Sequence, residues 1–159
     1  DHEETAVFIE GPDYTPTTPN KKSFLKDGVY GSLLVLGGQV VNTACQPIAG
    51  AVLDFWHCDA AGNYDNDGFK LRGHQFTDEN GRWQLETILP APYEGRPRHI
   101  HVKVQGANTS LLTTQLFFPE DVAAFKGSAD FDESLVIAVA EQTAEKMTAS
   151  FRFVLAQTA

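Results

Sequence analysis

Residues 33–58 read LLVLGGQVVNTACQPIAGAVLDFWHC. Valine, leucine and aromatic residues crowd into 33–42 and 50–58. Between them stands Gln46-Pro47, whose proline presets a turn and is excluded from a central strand. The stretch therefore reads as strand, turn, strand. The same texture repeats outward along the chain. Further β-rich runs occupy 72–77, 82–87, 98–106, 112–118, 134–139 and 147–155. Gly62-Asn63, Asn66-Asp67-Gly68, Asp78-Glu79-Asn80-Gly81, Gly106-Ala107-Asn108 and Lys126-Gly127-Ser128 punctuate them. No amphipathic helix of a dozen residues lies between strands, so the expectation is all-β: an antiparallel β-sandwich of about eight strands rather than a βαβ sheet. Only Pro119 to Phe125 reads as helical. It spans one or two turns, with proline in the first and Glu120 and Asp121 near the positive helix end.

Ahead of Leu33, Thr15-Pro16-Thr17-Thr18-Pro19-Asn20-Lys21-Lys22 has no periodicity and carries two prolines. Residues 1–31 are thus expected to form an extended N-terminal arm draped over a sandwich domain of 32–159. A chain of 159 residues fits one domain, which at this size buries roughly 70% of the surface its unfolded form exposes. With 42% hydrophobic and 21% charged residues the composition is that of a globular protein. Twelve Lys+Arg against 21 Asp+Glu give a net charge of −9, which argues against a phosphate-neutralising, nucleic-acid-binding surface. The uncharged stretch Gly28 to Leu53 is broken by Gly31, Gly37, Gly38, Gln39, Asn42, Thr43, Gln46 and Pro47, so no membrane span is expected. The chain begins at Asp1 without a basic-then-apolar leader. The expectation is a soluble protein, either a secreted mature chain or a cytoplasmic one. Cys45 falls in a turn and Cys58 at the far end of the next strand. Thirteen extended residues span roughly 40 Å, so two free thiols are expected.

A second stretch, Tyr93-Glu-Gly-Arg-Pro-Arg-His-Ile-His101, places one of four tyrosines and two of five histidines within nine residues. On a strand His99 and His101 share a face and Ile100 takes the other. An isolated His-x-His equally describes a polar strand face, and a tyrosine at a strand end commonly just bonds a backbone group. Gly95 and Pro97 nevertheless set a sharp path between the tyrosine and the histidines. A further candidate lies in the loop after Trp56-His57-Cys58, which carries Tyr64. Asn63-x-Asp65-x-Asp67-Gly68 looks like the start of a calcium loop, but its twelfth position is His74 where a bidentate glutamate is required. If Tyr64, Tyr93, His99 and His101 converge, two imidazoles and two phenolates form a hard, partly anionic set suited to a trivalent ion such as iron(III). Zinc sites prefer Cys, His and carboxylate, and the iron(II) triad needs a carboxylate beside two histidines.

At these residues the chain resembles the intradiol ring-cleavage dioxygenases, the family of catechol and protocatechuate dioxygenases. The resemblance runs through Glu10-Gly11-Pro12, Gly38-Gln39-Val40-Val41, Pro47-Ile48-Ala49-Gly50-Ala51, Asp54-Phe55-Trp56 and Gly62-Asn63-Tyr64-Asp65. It continues in Leu71-Arg72-Gly73, Thr77-Asp78-Glu79-Asn80-Gly81-Arg82, Pro90-Ala91-Pro92-Tyr93 and Arg96-Pro97-Arg98-His99-Ile100-His101. It implies a β-sandwich enzyme that holds one non-haem Fe(III) through Tyr64, Tyr93, His99 and His101. Its partners would be a small aromatic diol and O2, and the product a muconate-type dicarboxylate. Tyr93 would double as a base, Arg96 would match the active-site arginine, and Gln115 would match a glutamine behind the ligands. The oligomeric state, monomer or homo-oligomer, stays open. Arg98 departs from the family's small residue at that position and is expected on the outward face by alternation. Tyr14, Trp56 and the loop from Asp65 to Lys70 are candidates for shaping the pocket. A non-catalytic transthyretin-like sandwich would explain Gly38 to Leu89 without requiring Tyr93, His99 and His101. A cupin would need a glutamate soon after His-x-His, where Val102-Lys103-Val104-Gln105-Gly106 supplies none.

Overall fold

The computed structural model of the chain describes residues 2–159; Asp1, the first residue of the expected arm, lies outside them. Eight strands form two four-stranded layers. They are β1 (Leu33–Asn42), β2 (Val52–Trp56), β3 (Arg72–Phe76), β4 (Arg82–Ile88), β5 (His99–Gln105), β6 (Leu112–Phe117), β7 (Ala138–Gln142) and β8 (Lys146–Leu155). One sheet runs β4-β1-β8-β7 and the other β3-β2-β5-β6. The all-β sandwich expected from the strand pattern is the fold observed. Between β6 and β7 come a short turn of 3-10 helix, Pro119–Asp121, and four residues of α-helix, Val122–Phe125. This is the helical piece read from Pro119 to Phe125.

Two differences have physical causes. β1 pairs with β8 in parallel, with Gly38 opposite Phe151, whereas every other strand pair is antiparallel. A Cβ at Gly38 would stand 1.8 Å from the Phe151 carbonyl oxygen, so only glycine permits this approach. The run at 134–139 is not a strand throughout. Asp132 accepts a hydrogen bond from Ser134 N at 2.9 Å and closes a 3-10 turn over Glu133–Leu135, which delays β7 to Ala138.

The core lies between the sheets and includes Leu34, Leu36, Leu53, Phe55, Leu85, Ile100, Val102 and Phe153. In β5 burial does not alternate as it would with one solvated face, because His99 and His101 are buried as completely as Ile100 and Val102. The arm provides the cover. Phe8 N donates to Thr113 O, Thr114 Oγ1 to Ala6 O and Gln115 Nε2 to Ile9 O. The chain then crosses to the edge strands, bridging at Asn20 with His74 and at Ser23 with Glu86. Pairing of this kind shields edges that would otherwise template aggregation. Cys45 is exposed, Cys58 is buried, and both are free. Among the described residues no helix is long and apolar enough to cross a membrane.

Beyond the end of β2, buried His57 ties the two layers together. Its Nδ1–H donates to Cys58 O at 2.7 Å, and its Nε2 accepts from Thr87 Oγ1 of β4 at 2.7 Å. Burial pulls its pKa down from 6.5 to about 4. The unfolded chain therefore takes up a proton below pH 6.5 that the native chain refuses until about pH 4, so stability falls as pH drops through this window. The loss from this residue is on the order of 3 kcal/mol. A denaturation midpoint that stays flat between pH 7 and 4 would contradict it.

Candidate metal centre

Tyr64 and Tyr93 reach the site from loops, His99 and His101 from β5. Two aspartate-built turns shape the Tyr64 loop. Asp59 Oδ1 accepts from Ala61 N and Asn63 N, while the Asp65 carboxylate accepts from Asp67 N, Gly68 N and Lys70 N. The acidic cluster that looked like a calcium loop thus spends its Asp65 oxygens on its own backbone. Tyr93 begins a tight turn closed by Arg96 N donating to Tyr93 O at 2.9 Å. Both central residues are left-handed, Glu94 at φ 52° and Gly95 at φ 71°, a conformation that a non-glycine residue such as Glu94 adopts only under constraint. The turn places Arg96 on the same approach as Tyr93.

The four side chains meet. Tyr64 Oη lies 2.9 Å from Tyr93 Oη, 2.9 Å from His101 Nε2 and 3.5 Å from His99 Nε2, and Tyr93 Oη lies 3.2 Å from His99 Nε2. His99 Nδ1–H donates to Pro97 O at 2.8 Å, which turns the Nε2 lone pair toward the tyrosine oxygens. Two phenol protons cannot serve four such contacts fully, whereas one cation would satisfy all four atoms. Donor atoms about 2.1 Å from a common ion at right angles stand about 3.0 Å apart, and the observed separations fit that spacing. Among the described residues no cluster of three or more His, Cys, Asp or Glu is placed to hold a metal; here half of the converging side chains are tyrosines.

Burial pushes both phenols up, Tyr64 further through its bond to Tyr93, while that same bond and then the charge of Arg96 pull Tyr93 the other way. Burial lowers His99 to about 4 and His101 well below 6.5, so both imidazoles are neutral and able to donate lone pairs at pH 7. Arg96 acts on Tyr93, His99 and His101, yet its own Nε and Nη2 are buried without a hydrogen-bond partner. Such orphaned donors in a half-buried guanidinium are open to an anion.

Gln115 faces His101 across β5 and β6. Its amide nitrogen is spent on Ile9 O at 2.9 Å, while Gln115 Oε1 and His101 Nδ1 are buried without partners. Behind His101 the Trp56 ring stacks at 4.7 Å and 6°, and Tyr14 packs on Trp56 at 4.8 Å. Tyr14 in turn donates to Asp54 Oδ2 at 3.0 Å. Tyr14 and Trp56 therefore back the His101 side of the cluster. Arg98 turns away to pair with Glu120.

The family model described as Dioxygenase matches residues 9–157. The chain belongs to the intradiol ring-cleavage dioxygenases. It is 33% identical to catechol 1,2-dioxygenase of Candida albicans over 144 residues, 73% of this chain and 48% of that protein. With chlorocatechol 1,2-dioxygenase of Rhodococcus opacus it shares 32% over 147 residues, 74% of this chain and 57% of the relative. This family member spans about half the length of the enzymes it matches in sequence. Its fold is similar to the dioxygenase domain of a dioxygenase carbohydrate-binding protein fusion from Streptomyces sp. SirexAA-E. There the TM-score is 0.89 at 39% identity, covering 98% of this chain and 100% of that one. Against 3-chlorocatechol 1,2-dioxygenase from Rhodococcus opacus 1CP the TM-score is 0.86 at 28% identity, over 99% and 74%. Arg72, which the sequence did not single out as functional, lies with its guanidinium carbon 5.9 Å from the centre of the Tyr64 ring.

Proposed function

We propose that this chain is an iron(III)-dependent intradiol dioxygenase that opens the ring of a catechol-type diol with O2 to give a muconate-type dicarboxylate. The observation that carries the reading is the convergence of Tyr64 Oη, Tyr93 Oη, His99 Nε2 and His101 Nε2 at 2.9–3.5 Å. Family membership and the sequence relatives named for catechol and chlorocatechol support the substrate class. Held by those four residues, iron(III) would supply a Lewis acid that takes both diol oxygens and draws electron density from the ring so that it can meet O2.

The chain's own residues do the rest. Tyr93 Oη would accept a proton from the arriving diol, its phenolate serving as both ligand and base. The unpartnered Nε and Nη2 of Arg96 are available to negative charge that develops on the bound ring oxygens and, afterwards, to a product carboxylate. Pro97 O holds His99 in the tautomer that leaves Nε2 free. The arm, through Ile9 and Gly11, keeps water from the back of His101; a Cβ at Gly11 would stand 3.5 Å from His101 Cε1.

Oxygen uptake against a panel of catechols, with product identification, tests the reading. The expected result is one O2 consumed per dicarboxylate formed, by protein coloured red to purple through its phenolate ligands. Colourless protein that takes up no iron on reconstitution would leave only a binding module on the same scaffold.

A further inference from the structure

Arg72 opens β3 and has no part in the chemistry above. It is 1% exposed, yet none of the ion pairs among the described residues includes it. Each of its three nitrogens donates to a neutral acceptor. Nε donates to Asp65 O at 2.8 Å, Nη1 to Asp13 O, and Nη2 to Asn66 Oδ1 at 2.8 Å. These acceptors belong to the arm and to the loop directly after Tyr64. A buried guanidinium is costly; the Asp13 and Asp65 carboxylates act on its charge without pairing with it, and the ring it faces is that of Tyr64, 5.9 Å away. A neutral phenol offers only its ring face; a phenolate offers a full negative charge.

We propose that Arg72 is the positioning residue of Tyr64: it fastens the arm at Asp13 and the loop at Asp65 and Asn66 to β3, and its charge opposes that of the Tyr64 phenolate. The inference rests on the iron(III) reading of the site. Arg72 then fixes one donor much as Pro97 O fixes His99, by orienting the ligand from behind.

The test compares iron-loaded wild type with Arg72→Met, Arg72→Lys, Tyr64→Phe and the double variant Tyr64→Phe/Arg72→Met. Its readouts are the energy of the phenolate-to-iron absorption band and the rate of iron release to a chelator. Loss of a positive charge beside a phenolate raises the donor level, so Arg72→Met is expected to move the band to longer wavelength and to release iron about 10–100-fold faster. Arg72→Lys, which keeps charge but loses the fork, should hold the band near its wild-type position while still releasing iron faster. In the Tyr64→Phe background the residual band, from Tyr93, should not respond to Arg72→Met. A wild-type band and release rate in Arg72→Met, or the same shift without Tyr64, would overturn the inference. Should Arg72→Met fail to fold, Asn66→Ala at the exposed end of the clamp keeps the charge and cuts one tie. It should speed release with the band unchanged, and an unchanged release rate would count against the clamp. Wild-type protein that shows no band after iron loading would instead sink the iron reading itself, independently of every Arg72 comparison.

Discussion

His101→Ala is expected to purify without bound iron and to show no turnover of catechols above background. The imidazole Nε2 lies 2.9 Å from Tyr64 Oη, the atom that touches all three other members of the cluster, and burial keeps it neutral, so its lone pair is free for a cation. Changes to residues that merely orient a ligand cost about 10–100-fold in metal affinity; removing a donor atom exceeds that. The vacated space lies between the Trp56 ring and the tyrosines, and an indole offers no lone pair to replace Nε2. Metal analysis after loading with excess iron(III) and dialysis checks the outcome, with the melting temperature of the stripped protein as the folding control. Full iron occupancy in a folded His101→Ala protein would remove His101 from the ligand set.

Arg96→Met should have the opposite signature, with iron and colour retained and turnover lost. Two of its nitrogens are buried without partners, so the substitution breaks no hydrogen bond of the resting fold; it removes positive charge where the substrate is to become anionic. Deleting a preorganised donor of this kind costs about 10²–10³-fold in kcat. Because Arg96 also pulls down the proton affinity of Tyr93, and a base acts only when deprotonated, the acid limb of the pH–rate profile should move to higher pH in the variant. Steady-state rates across pH, at equal iron content, measure both effects. A kcat within threefold of wild type would assign Arg96 to the fold alone.

Local chemistry explains how much of this was legible beforehand. Period-two alternation put His99 and His101 on one face and Ile100 on the other, and Ile100 indeed lies in the core between the sheets. Turn residues bounded most strands to within two positions. The run at 134–139 misled because its apolar residues serve a 3-10 turn, in which Leu135 packs beside Phe117 and Phe131 rather than in a ladder. Arg72 followed Leu71 like any charged strand residue. Nothing in its neighbours signals burial, since its three acceptors come from residues 13, 65 and 66.

The amino-acid sequence by itself determined the β-sandwich, the strand carrying both histidines and the residue types suited to a hard, high-charge cation, because alternation, turn chemistry and donor chemistry are properties of short segments. Only the tertiary structure decided that two tyrosines 29 positions apart would stand 2.9 Å from each other, that β1 would run parallel to β8, and that an extended arm would cover the ligand face. Those outcomes depend on contacts between segments distant along the chain, set by packing of the whole and invisible in any local stretch.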